Sequence, residues 1–174
     1  KAEGWERAPY WLDGAIPLAW ILDDEPLKAR ITRYVDFIVS HQRPDGWYGP
    51  YPEDAVAKRY DMWAILLANK VLAQYHEATG DARVLDAMVK SLRAMLAGLD
   101  RTPLYGWGKF RWFEGLIPAY HAYAHTREPW LLAGAKLLNR ASLDTSGVDV
   151  LVEYREKRYA WEGEFISRGQ ELGA

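Results

Sequence analysis

The stretch Tyr10-Trp11-Leu12-Asp13-Gly14-Ala15-Ile16-Pro17 returns later in the chain as Arg111-Trp112-Phe113-Glu114-Gly115-Leu116-Ile117-Pro118. Both copies read aromatic, apolar, acid, Gly, apolar, Ile, Pro, and both lead into an apolar segment. A degenerate third copy, Arg59-Tyr60-Asp61-Met62-Trp63, lies between them. Self-similarity at a period of about 50 residues is the mark of stacked supersecondary units, each burying its apolar face against the next. It also sets an acid beside an aromatic ring at the same structural point three times.

Outward from these copies the periodicity is helical. Leu27, Ile31, Tyr34, Val35 and Ile38 recur at the spacing of one helix face, behind an entry with Pro26 in the first turn and the acidic run Asp23-Asp24-Glu25. Arg43-Pro44-Asp45-Gly46 ends that helix. A second helix is predicted from about Asp81 to Leu99, carrying Leu85, Met88, Leu92, Met95 and Leu96. A third begins at Glu128-Pro129 and carries Leu131, Leu132, Ala135 and Leu138. Between them lie Ala15 to Leu22, Met62 to Tyr75 and Leu116 to Tyr123, apolar nearly all round and therefore buried. The pattern is inner helix, outer helix, three times over, with short links such as Ala78-Thr79-Gly80-Asp81 closing each hairpin. The expected fold is all-α: three hairpins, about half of an (α/α)6 toroid, over residues 1–145. Residues 146–174 form a tail of charged and weakly alternating sequence that reads equally as a β-hairpin, a short helix or disordered chain.

Composition narrows the function. The 174 residues carry a net charge of −2 with mixed signs, which gives no footing for nucleic acid. No apolar run is long enough for a bilayer. There is no Cys, so neither a thiol nucleophile nor a thiolate metal site can be built from these residues. Nine Trp and eleven Tyr outnumber four Phe, favouring rings with a polar tip. The start, Lys1-Ala2-Glu3-Gly4-Trp5, has neither an initiator Met nor a signal peptide and reads as an internal cut, leaving bacterial cytoplasm and periplasm both open.

In a toroid the starts of the inner helices gather at one end of the ring. Asp13, Asp61 and Glu114 are then expected to converge there with the Trp47 and Trp107 loops. Paired carboxylates are what glycoside hydrolysis requires, so Asp13 and Glu114 are the catalytic candidates. Against this stands capping, since an acid ahead of a helix accepts backbone N–H groups and complements the dipole. Trp11, Trp47, Tyr48 and Trp112 are candidate sugar platforms, with Asp13, Asp61 and Glu114 as hydroxyl partners. The loop rings Trp47 and Tyr48 have the equal alternative of folding back onto the core. His121 and His125, one turn apart on a helix, lack a third ligand in sequence, so no metal site is expected.

Several blocks resemble the β-L-arabinofuranosidase-like glycoside hydrolases. They are Ala8-Pro9-Tyr10-Trp11-Leu12-Asp13-Gly14, Gln42-Arg43-Pro44-Asp45-Gly46-Trp47-Tyr48-Gly49-Pro50, Tyr75-His76-Glu77-Ala78-Thr79-Gly80-Asp81 and Glu128-Pro129-Trp130-Leu131-Leu132. The resemblance covers about residues 5 to 145. It implies an (α/α)6 catalytic barrel, a carbohydrate partner from arabinose-containing plant glycans, and a retaining mechanism. That mechanism uses a Cys nucleophile beside a zinc held by Glu and Cys. This chain has no Cys, so zinc is expected only of an intact family member, and these residues alone are expected to be poor catalysts. Self-association through the open edge of a half-ring is a further expectation. Two rivals stand beside this reading: a terpene-cyclase-like α/α barrel, suggested by Gln42, Gly46 and Trp47, and a non-catalytic helical-repeat binding module.

Overall fold

A computed structural model describes residues 6–49, 62–99 and 104–142. Within them the chain forms helices α1 (Arg7–Ile21), α2 (Glu25–Ser40), α3 (Trp63–Thr79), α4 (Ala82–Gly98), α5 (Gly106–Phe110), α6 (Leu116–Thr126) and α7 (Pro129–Ser142), with a 3-10 turn at Trp112–Gly115 leading into α6. Helices pair as hairpins α1–α2, α3–α4 and α6–α7. The first member of each pair builds an inner layer and the second an outer one. In the inner layer α3 lies between α1 and α6, and in the outer layer α4 lies between α2 and α7. This is an arc of three αα-hairpins. Asp61 and residues 146–174 lie outside the described residues, as does the third repeat copy up to its Met62.

Each hairpin turns at one left-handed residue: Asp23 (φ 53°), Gly80 (φ 70°) and Arg127 (φ 59°). Only at Gly80 does the sequence advertise that geometry. An acid follows each of them. Asp24 accepts from the Leu27 amide at 3.0 Å and Asp81 from the Arg83 amide at 3.0 Å, satisfying first-turn donors of the outer helices. The alike helix starts in the sequence are thus a repeated turn.

The polarity of the layers follows from burial. Twelve of the seventeen residues of α3 are buried, because it has neighbours on both flanks and behind. Leu12, Ile16 and Ala19 of α1, Ile31 and Val35 of α2, Met88, Leu92 and Met95 of α4, and Leu131 and Leu138 of α7 complete one continuous core. Gly115 is required by that packing: a Cβ there would fall 2.8 Å from Leu66 and 2.9 Å from Leu138, whereas one on Gly14 would meet nothing within 4 Å. Among the described residues no helix is long and apolar enough to cross a membrane.

Two sequence expectations change. Helix α1 starts well ahead of Ala15, so Pro17 sits inside it and Asp13 lies mid-helix. An acid in that position has no free first-turn amides to cap. The second copy behaves differently: Glu114 lies in the 3-10 turn and Pro118 in the first turn of α6, where a missing N–H costs nothing. The loop before the last inner helix also folds, as α5, which the sequence did not foretell.

Candidate functional site

The two repeated acids meet. Lys70 Nζ, from the middle of α3, lies 3.2 Å from Asp13 Oδ2 on α1 and 3.1 Å from Glu114 Oε2 ahead of α6. Gln74, one turn along α3, donates from Nε2 to Asp13 Oδ1 at 2.8 Å. All three charged side chains are largely shielded, with 18%, 28% and 17% of Lys70, Asp13 and Glu114 exposed. The repeat is therefore a structural equivalence: the acids of the two flanking inner units are drawn to one cation on the central unit. Burial opposes the Lys70 charge. Hydrogen bonds and Coulomb attraction from Glu114 and Asp13 outweigh it and hold the ammonium above its usual range.

Beside this triad runs an open cleft of about 220 Å³ between α1 and α3, lined by Ile16, Pro17, Trp20, Gln74, Glu77 and Ala78. Gln74 Oε1 is buried, and among the described residues no donor reaches it. Trp20 packs edge-on against Tyr75, with ring centroids 5.7 Å apart. At the other end of the inner helices Arg111 lies over the Trp63 ring at 4.7 Å and the Trp107 ring at 5.5 Å, and Tyr10 packs on Trp63 at 5.8 Å. Tyr10 and Trp107 keep exposed faces there.

The rings named from sequence fare less well. Trp47 and Tyr48 are 5% and 4% exposed, so neither offers a face to a ligand. The loop folds back, and the Tyr48 hydroxyl donates to Asn69 Oδ1, whose amide donates to Ser91 Oγ and the Ile65 carbonyl at 3.1 Å each. Gln42 fastens the same loop, donating to the carbonyls of Gly46 (2.8 Å) and Ala87 (2.7 Å). The Gln–Gly–Trp pattern is thereby accounted for as a buttress. Gly46 itself has φ +91°, and a Cβ would fall 2.6 Å from the Lys90 carbonyl oxygen. Trp11 turns away from the acids toward α2, between Tyr34 (5.2 Å) and the Arg30 guanidinium (4.9 Å). Trp112 is partly buried against the core, edge-on to Phe113.

The chain matches the family model described as Beta-L-arabinofuranosidase, GH127 catalytic domain, over residues 6–163. It belongs to this family. No curated protein and no solved structure matches it. Family membership makes the chain a glycoside hydrolase domain of the arabinofuranosidase group and gives the three-hairpin arc its place within an (α/α)6 toroid. The arabinofuranosidase domain thus carries an Asp13–Lys70–Glu114 triad within its inner layer, from α1, α3 and the turn ahead of α6.

Lys70 and Gln74 were missed in the sequence. Their signal was present: Lys70 and Gln74 stand four apart, on one face of a segment from Met62 to Tyr75 whose one other polar residue is Asn69. His76 was missed as well. It packs against His121 and His125 from another helix, with ring centroids 5.1 Å and 4.8 Å away, and no local pattern announces a contact across that separation.

Proposed function

We propose that the inner face of this domain grips an arabinose-containing, plant-type glycan at Asp13, Lys70, Glu114 and Gln74, and that these 174 residues alone do not hydrolyse it efficiently. The convergence of both repeated acids on one lysine carries the reading. An ammonium flanked by two carboxylates presents donor and acceptors side by side, which suits vicinal hydroxyl groups. Trp20 lines the adjoining cleft with an apolar ring of the kind that lies against sugar C–H faces. Two carboxylates already engaged as acceptors of Lys70 protons are better placed to bind hydroxyls than to deliver a proton to a leaving group. The Cys nucleophile and Glu/Cys zinc set implied by the family resemblance do not fit these residues, which include no Cys.

Exposed Leu18, Ile21 and Leu22 at the α1 edge, 50%, 80% and 63% accessible, support self-association along that edge. The functional reading is tested by titrating L-arabinose and arabinose oligosaccharides in NMR or calorimetry, alongside an aryl β-L-arabinofuranoside assay. Millimolar binding that Asp13→Asn weakens, with negligible turnover, is expected. No response to any pentose, or efficient turnover by these residues alone, would overturn it.

A further inference from the structure

Away from the acid–lysine triad, at the hairpin end of the inner layer, three imidazoles share one place. His76 lies in the last turn of α3, His125 in the last turn of α6, and His121 one turn before His125. His76 Nδ1 and His121 Nε2 are 2.9 Å apart, the His121 and His125 ring centroids are 4.7 Å apart, and one nitrogen from each ring falls within 4.8 Å of the others. We propose that His76, His121 and His125 bind a divalent transition-metal ion, with zinc(II) as the probe, and so pin α3 to α6.

The geometry is close to what such an ion needs. Zinc bonds to imidazole at about 2.0–2.1 Å in a tetrahedral arrangement, which sets ligand nitrogens about 3.3–3.4 Å apart. The His76–His121 pair therefore opens by about 0.5 Å from its 2.9 Å separation, and His125 closes in from within 4.8 Å. His125 is exposed and free to make that movement, while His76 is buried and fixed. All-imidazole ligation suits zinc, nickel or copper and leaves a fourth position for water on the exposed His125 side.

The surrounding charges favour a cation. Last turns of two helices direct their carbonyl ends toward this region, where the dipole is negative. Glu77 acts electrostatically on His121, and Asp81 on His76. Burial first, and the neighbouring imidazoles second, hold His76 and His121 below the usual histidine range. The nitrogen donor set differs from the Glu/Cys set implied by the family resemblance, and none of its three residues belongs to the proposed sugar site or lines the adjoining cleft. The proposal therefore stands independently of the glycan reading.

The test is calorimetric titration of tag-free, chelator-treated protein with zinc chloride at pH 7.5, paired with cobalt(II) absorption to report tetrahedral nitrogen ligation. One ion per chain is expected, accompanied by a zinc-dependent rise in Tm. His121→Ala and His125→Ala each weaken binding by at least roughly tenfold. His41→Ala, whose ring stacks on Phe37 elsewhere, leaves it unchanged. His125→Ala alters only an exposed side chain, so its result is readable even where His121→Ala fails to fold. No saturable binding, or zinc affinity in His125→Ala equal to the parent protein, would overturn the proposal and leave a hydrogen-bonded histidine pair.

Discussion

Replacing Lys70 with Met keeps an unbranched side chain only one atom shorter and removes the cation that Asp13 and Glu114 share. Each lost contact, at 3.1–3.2 Å, is a charge-assisted hydrogen bond with a net worth of about 1.5–3 kcal/mol. The two carboxylates it leaves behind are no more than about 6 Å apart, since both reach the same nitrogen. At an effective dielectric constant near 20 their repulsion is about 3 kcal/mol. Solvent reaches 17–28% of each of these side chains, and they can move apart once released. Met also packs favourably along the apolar part of the site. A net destabilisation of about 2–3 kcal/mol at pH 7.5 follows, at the low end of what breaking a buried ion pair costs. That corresponds to a Tm fall of roughly 5–10 °C for a domain of this size. Adding Glu114→Gln removes the repulsion and recovers about 1–2 kcal/mol at pH 7.5. Urea unfolding followed by circular dichroism at pH 7.5, on the parent, single and double variants, measures all of this. A loss under about 0.5 kcal/mol, or a double variant no more stable than Lys70→Met alone, would mean the triad is a solvated surface contact.

The glycine of each repeat copy gives an opposite result. Gly115→Ala drives a methyl into Leu66 and Leu138 and lowers stability by about 1–2 kcal/mol, while Gly14→Ala, with open space in mid-helix, gains about 0.5–1 kcal/mol in the same denaturation assay. The Lys70 contribution also has a defined alkaline limit. Its folded value lies above the ordinary lysine value of 10.5, so the stabilisation is complete below that pH and fades as pH climbs through the folded value. The stability gap between the parent protein and Lys70→Met should narrow above pH 10.5 and nowhere between pH 8 and 10.

The helices were legible in the sequence because burial imposes a local period. Outer helices α2, α4 and α7 show one apolar stripe each, and α3 is apolar nearly all round because three neighbours cover it. The turns were legible where an acid follows Gly80, and far less so at Asp23 and Arg127, whose left-handed backbone is imposed by closure of the hairpins. The start of α1 was misjudged because Pro17 imitates a helix entry, although an exposed proline is tolerated inside a helix that packs on its other side.

The repeat by itself paired Asp13 with Glu114, one in each flanking inner unit. What the tertiary structure decided is which partner each side chain takes. Long-range packing brings Lys70 between the two acids, His76 onto the histidines of α6, and Trp47 and Tyr48 into the core in place of a sugar surface. Backbone periodicity is set by neighbours three and four residues away and is written in the chain. The choice of a partner some 45 to 60 residues distant rests on how whole helices stack, and no local run of residues encodes it.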